Sequence, residues 1–238
     1  AASDVYKRQE VMNRFGFICL INKDEIEIKP TKKILIKNYF VESDWSSASY
    51  LYSIVALSGV ELNLSTFKSN SLQGDSKLSK LYENFGVKTY FENDEIILKK
   101  TISHKKKKFI ELNLIENPDL AQTIIITSLG LSIHTKLTGL DTLKIKETDR
   151  LLALKNEISK FNTDVLIDDH SIEIKNFPKI LPENIEIDTY GDHRMALAFS
   201  PLSVLVKLVI NDCGVISKSF PDYWTVLQKL NFNLEFNN

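Results

Sequence analysis

Ser46–Leu57 reads SSASYLYSIVAL, a run of small and apolar residues that follows Asp44. A helix with no polar face has nothing to offer water, so this run predicts a helix buried at the centre of a domain. Working outward, Glu61–Leu64 (ELNL) reads as a short strand. Ser76–Phe85 reads as an amphipathic helix with Leu78, Leu81 and Phe85 at i, i+3 and i+7, and Gly86 closes it. Val87–Glu92 (VKTYFE) and Glu95–Lys100 (EIILKK) then alternate like a strand pair.

The same order returns downstream. Leu120–Leu131 is a second small, apolar helix and His134–Leu137 is strand-like. Thr148–Phe161 carries Leu151, Leu154, Ile158 and Phe161 on one stripe, and DVLIDD (Asp164–Asp169) and SIEIKN (Ser171–Asn176) alternate as a pair. A third copy starts at His193–Leu205, continues through KLVIND, includes a helix at Pro221–Leu230 and closes on NLEF (Asn233–Phe236). Phe15, Phe85 and Phe161 end comparable helices, which sets a period of roughly 70–76 residues. With the extended residues before each first helix, the unit is βαβαββ, and the chain is expected to be an α/β domain of three complete or near-complete units.

The beginning follows the same rule. Val11–Phe15 reads as the end of a helix, Gly16 as its stop, and FICLIN with EIEIKP as a strand pair, whereas Ala1–Gln9 shows no pattern and reads as a ragged or foreign edge. Pro30–Asn38 is polar and extended, a linker. Residues 1–40 are therefore expected to be the truncated tail of a first domain plus a hinge, and 41–238 a second domain. The chain reads as a fragment.

The 238 residues carry 30 Lys+Arg against 31 Asp+Glu, a net charge of -1, which disfavours a general nucleic-acid binder. Cys19 and Cys213 stand far apart with no CxxC, and His104, His134, His170 and His193 lack ligand spacing, so neither a disulfide scaffold nor a metal site is implied. No apolar run approaches the ~18 residues of a membrane span, and a cytoplasmic protein is expected. Gly-rich phosphate loops of the GxGxxG and GxxxxGK[ST] kinds are absent.

Polar clusters stand at helix entrances, where sites are commonly placed. KIKETDR (Lys144–Arg150) packs three cations and two acids just before an apolar-striped helix. Cations there oppose the macrodipole, so local stability does not explain Lys146 and Arg150; converging N–H groups and cations make such a mouth suited to an anion. In TYGDHRMALAF (Thr189–Phe199), Asp192 is a natural N-cap, while Arg194 again sits on the unfavourable side of the dipole. SKSFPDYW (Ser217–Trp224) places Lys218 ahead of Pro221, and NPDLAQT (Asn117–Thr123) places Asp119 as a cap of, or a lead into, a buried helix. HKKKK (His104–Lys108) reads as a solvated loop.

At these clusters the chain resembles the 5-enolpyruvylshikimate-3-phosphate synthase (3-phosphoshikimate 1-carboxyvinyltransferase) family. KIKETDRLLAL, TYGDHRMALAFS and KSFPDYW carry the resemblance, with VESDWSSASY (Val41–Tyr50), NSLQGD (Asn70–Asp75) and NPDLAQT in support. It extends over roughly residues 10–238 and implies a two-domain enolpyruvyl transferase fold with three βαβαββ units per domain, of which this chain would hold half the active site. The activity implied is enolpyruvyl transfer from phosphoenolpyruvate to the 5-hydroxyl of shikimate-3-phosphate with release of phosphate. By motif, Asp119 would orient and deprotonate the hydroxyl and Glu147 would donate or relay a proton. Lys146 and Thr142 would touch shikimate-3-phosphate, with Asn common in the family at Thr142, and Arg150, Arg194 and Lys218 would bind phosphoenolpyruvate. The resemblance implies no cofactor, no metal, no nucleic-acid or membrane partner, and a monomer at full length. Two other readings stand beside it: the related transferase acting on UDP-N-acetylglucosamine, which depends on a catalytic-loop cysteine, and a non-catalytic repeat domain that binds an anion or a protein.

Overall fold

The computed structural model describes residues 2–23, 25–31, 33–101 and 107–236, with the backbone alone for residues 2–4. It is a mixed α/β structure. Helix α1 (Ala2–Phe15) leads through Gly16 into the hairpin β1 (Ile18–Asn22) and β2 (Glu25–Lys29). Residues 1–9 show no pattern in sequence, yet the helix starts at Ala2. Good helix formers such as Lys7, Arg8, Gln9 and Glu10 sustain it by propensity rather than by burial.

The core begins at α2 (Trp45–Ser58). Asp44 caps it, its carboxylate accepting from Ser46 N and Ser47 N at 3.3 and 3.0 Å, and Gly59 ends it in the left-handed region at φ 78°. Trp45 and every residue from Ala48 to Leu57 are buried, as an all-apolar helix requires. Next come β3 (Leu62–Ser65), a 3-10 turn at Gly74–Lys77, the single turn α3 (Leu78–Leu81), a second 3-10 turn at Tyr82–Phe85, and the pair β4 (Val87–Glu92) and β5 (Glu95–Lys100). The amphipathic helix expected over Ser76–Phe85 is thus broken. Its buried stripe is Leu78, Tyr82 and Phe85, with Leu81 only partly covered.

The second segment runs β6 (Phe109–Asn113), α4 (Ala121–Leu131), β7 (His134–Thr138), α5 (Arg150–Ser159), β8 (Asp164–Ile167) and β9 (Ser171–Lys175). The third runs β10 (Ile185–Ile187), α6 (His193–Phe199), β11 (Leu208–Ile210) and α7 (Tyr223–Lys229), with α6 continuing as a 3-10 turn through Val204. Asn233–Phe236 forms no strand, and neither do residues 39–43 ahead of α2. His104–Lys106 of the basic loop lie outside the described residues.

The sheets are small. Their strand orders are β1-β2, β3-β5-β4, β6-β7-β9-β8 and β10-β11. β6–β7 and β10–β11 pair in parallel, each across a buried helix, while the β4–β5 and β8–β9 hairpins are antiparallel. At the centre the buried helix α4 packs between α2 and α6. Hydroxyls tie α2 to α4: Ser49 Oγ lies 3.0 Å from Thr123 Oγ1, and Thr127 Oγ1 donates to Ser53 Oγ at 2.8 Å. The connections β6→α4, β7→α5 and β10→α6 come together, and they bring the polar clusters with them.

Candidate active site

Asp119 sits in the 3-10 turn Pro118–Leu120 that feeds α4. Pro118 lacks an N–H, which costs nothing in a first turn. The sequence offered Asp119 as a cap of, or a lead into, a buried helix; it leads into α4 without a capping bond, and its carboxylate reaches sideways to three cations. Arg150 Nη1 donates to Oδ1 at 2.9 Å, Lys146 Nζ lies 3.4 Å from Oδ1, and Arg194 Nη2 donates to Oδ2 at 3.3 Å. Arg194 Nη1 also reaches the Asp119 carbonyl at 3.3 Å.

Arg150 is the first residue of α5, whose cap is Asp149, accepting from Leu152 N at 3.0 Å. Its side chain is 2% exposed. A charge so buried must be paired. Three carboxylates pair it: Asp192 on Nε at 2.6 Å, Glu147 on Nη2 at 2.6 Å, and Asp119 on Nη1. Asp192 is fully buried and has a second duty, capping α6 through Arg194 N at 2.8 Å. One buried carboxylate therefore fixes both arginines.

Lys146, Arg150 and Arg194 face Asp119, Glu147 and Asp192, a charge-balanced group. Burial alone would raise the Asp119 pKa, but Arg194, Lys146 and Arg150 outweigh it and hold the carboxyl below its ordinary range. Burial likewise opposes the charge on Arg194, yet Tyr50, Asp119, Asp75 and Asp192 raise its pKa instead. Tyr50 is pushed up to about 12, chiefly by burial, with Arg194 opposing. His193 is lowered by burial and by Arg194. Arg194 Nε is buried and has no hydrogen-bond partner among the described residues.

The expected residues divide in two. Asp119, Lys146, Glu147, Arg150 and Arg194 meet. Thr142, exposed in the 3-10 turn Asp141–Ile145, and Lys218, exposed at the end of the 3-10 turn Cys213–Lys218, have no bond to the group among the described residues. The turn ending at Lys218 does pack on α6. The supporting motifs lie alongside: Asn117 Nδ2 donates to Asp75 Oδ1 at 3.0 Å, and Ser46 Oγ bonds Asp75 Oδ2. Asp192 was legible only as a cap, because the spacing of a capping Asp is the same whether or not it also holds a distant arginine. Tyr50 sat inside an apolar run and gave no signal.

No group of His, Cys, Asp and Glu fit for a metal occurs among the described residues, and no helix among them is long and apolar enough to cross a membrane. The arrangement can take an anion between arginines while two carboxylates handle protons beside it.

Over residues 3–227 the sequence matches the family described as EPSP synthase (3-phosphoshikimate 1-carboxyvinyltransferase). A 3-phosphoshikimate 1-carboxyvinyltransferase of Bacteroides fragilis is 35% identical over 237 residues, covering 95% of this chain and 55% of the relative. Among solved structures, an EPSP synthase from Acinetobacter baumannii aligns with a TM-score of 0.72 at 20% identity, over 93% of this chain and 53% of that one. The enolpyruvyl transferase NikO from Streptomyces tendae aligns with a TM-score of 0.66 at 13% identity, over 97% of this chain and 53% of that one. At such identities the structural likeness speaks for the fold alone. The chain spans about half the length of the curated relatives it matches.

Proposed function

The chain belongs to the EPSP synthase family, and from that membership we propose that it carries one half of an interdomain site for enolpyruvyl transfer. The donor is phosphoenolpyruvate, the acceptor the 5-hydroxyl of shikimate-3-phosphate, and the leaving group phosphate. Residues 41–238 form one domain of three βαβαββ units, and residues 1–40 are the tail of another domain with a hinge. The first unit lacks the strand ahead of α2, and the third lacks its closing hairpin among the described residues. The full-length protein is a cytoplasmic monomer.

The observation that carries this reading is the meeting of Asp119, Lys146, Glu147, Arg150 and Arg194 from three separate sequence blocks. Arg194, with its unused Nε, and Arg150 receive phosphoenolpyruvate, and Lys218 joins them from the turn packed on α6. Lys146 and Thr142 face shikimate-3-phosphate. Asp119 orients the attacking hydroxyl and takes its proton, and Glu147 supplies a proton to the methylene carbon. Expulsion of phosphate from the resulting tetrahedral adduct is matched by loss of a proton from the new methyl group, which restores the double bond. A carboxylate shared among three cations is a weak base. An anion arriving at Arg150 and Arg194 takes up their donors, frees Asp119 and lifts its basicity.

Half a site binds weakly, since each missing charge-assisted hydrogen bond forfeits ~1.5–3 kcal/mol. The chain is expected to bind phosphoenolpyruvate in the millimolar range, about -4 kcal/mol, and to show no turnover alone. Titration followed by chemical-shift change at low and high salt tests this: binding weakens with salt and disappears in Arg194→Ala. Joined to the remaining length of the family, the protein releases phosphate with shikimate-3-phosphate. Turnover with UDP-N-acetylglucosamine alone overturns the assignment.

A further inference from the structure

The segment Asp188–Arg194 carries Arg194 to the site; its local bonds, Asp192 N to the Thr189 carbonyl at 2.9 Å and Arg194 N to Asp192 Oδ1 at 2.8 Å, lie at its helix end and leave Asp188 and Tyr190 to other partners. Tyr190 and Gly191 are consecutive left-handed residues at φ 54° and 68°. That conformation is uncommon for a tyrosine and persists only where surroundings over-determine it. Asn211 Nδ2 donates to Asp188 Oδ1 at 2.8 Å, and α5 supplies the side-chain contacts to Tyr190 and Asp192. At the start of α5, Arg150 grips Asp192. Two turns further along, about 10 Å at the helical rise, Glu157 is a fully buried carboxylate. It accepts from Asp188 N at 3.1 Å and from the Tyr190 hydroxyl at 2.8 Å. Lys160 completes the lock, donating to Glu157 Oε2 at 2.7 Å, to the Glu186 carbonyl at 2.9 Å and to Asp188 Oδ2 at 3.2 Å.

A buried carboxylate is expensive, and an apolar residue would serve α5 better if packing were its only task. Every partner of Glu157 other than Lys160 belongs to the loop. We propose that α5 clamps the Asp188–Arg194 loop at two points, and that Glu157 is a positioning residue which, through Tyr190 and Asp188, fixes where Arg194 stands. The proposal rests on the reading of Arg194 as an anion-binding residue. It adds a determinant of anion affinity that touches no ligand.

The test uses the whole chain, with phosphoenolpyruvate as the probe. Tyr190→Phe removes one hydroxyl from a residue 39% exposed and leaves the fold intact. Glu157→Gln is the stronger lesion. Two readouts are taken: phosphoenolpyruvate affinity, and the Nε–H resonance of Arg194, assigned by its loss in Arg194→Lys. Tyr190→Phe is expected to shift or broaden that resonance without any contact to Arg194 and to weaken binding about fivefold, the value of one hydrogen bond. Glu157→Gln weakens it further. If Tyr190→Phe leaves both the resonance and the affinity unchanged, the clamp is wrong. If Arg194→Ala leaves affinity unchanged, the anion-site reading fails instead, and the resonance still decides the clamp.

Discussion

Arg150 stands at the first position of α5, where the helix dipole repels a cation, and almost no water reaches its guanidinium. Its carboxylate partners repay both costs, and they set the size of the effect when it is removed. Arg150→Met strands the fully buried Asp192, so unfolding free energy is expected to fall by about 3–5 kcal/mol in urea titration. Lys146→Met removes a longer contact on a side chain 33% exposed, and the loss stays below about 1 kcal/mol. A small effect for Arg150→Met would mean that Asp192 finds another partner. Two groups nearby also set the acid limb of stability. Asp119 has its folded pKa depressed below the ordinary 3.8, so its contribution is complete above that value and is lost as pH falls through the folded pKa. His193 is depressed below the ordinary 6.5; the unfolded state binds its proton first, so stability starts to fall below about pH 6.5. His193→Gln should flatten the urea midpoint between pH 7 and 5 and leave the steeper loss below pH 4. An unchanged slope in the upper window would show that His193 titrates alike in both states.

At the scale of elements, α2 and α4 meet through hydroxyls where leucines would be ordinary. Thr127 Oγ1 serves Ser53 Oγ and the Tyr82 hydroxyl, both at 2.8 Å and buried. Thr127→Val keeps the shape and removes one partner from each hydroxyl, which is expected to cost about 1 kcal/mol in denaturant unfolding. Leu57 of α2 and Leu202 of the turn after α6 close over α4 at Gly130, where a Cβ would lie 2.6 Å from Leu57 Cδ2 and 2.8 Å from Leu202 Cδ2. Gly130→Ala gains helix propensity of about 1 kcal/mol and meets overpacking of about 1–3 kcal/mol. A net loss is expected. A net gain would show that both leucines can turn aside.

At the scale of the molecule, the buried hydrophobic residues run from Trp45 onward, and Cys19 is the one earlier exception among the described residues. Ile18, Leu20, Ile26 and Ile28 of the β1–β2 hairpin are between 43% and 56% exposed. A polypeptide of residues 41–238 is therefore expected to unfold cooperatively, with a free energy within about 1 kcal/mol of the whole chain, the range of changes outside a core. Urea unfolding of the two side by side checks it. A loss of several kcal/mol would mean that residues 1–40 belong to the folding unit.

Hydrophobic periodicity by itself determined the buried helices and the hairpins, because burial on all sides, on one stripe or on alternate residues leaves a direct trace in spacing. The trace failed where burial was not the cause. The start of α1 rests on propensity, the Ser76–Phe85 helix tightened into 3-10 turns, and NLEF carries strand-like residues that pair with no strand among the described residues. The motif blocks also contain the five charged residues Asp119, Lys146, Glu147, Arg150 and Arg194 that meet in the fold. Only the tertiary structure decided that these five meet while Thr142 and Lys218 stand apart, and that Asp192 and Glu157 belong to the same network. Capping and long-range pairing ask for the same residue at the same position. Which of them an aspartate serves depends on what another segment, some forty residues away in the case of Arg150 and Asp192, brings within hydrogen-bond reach.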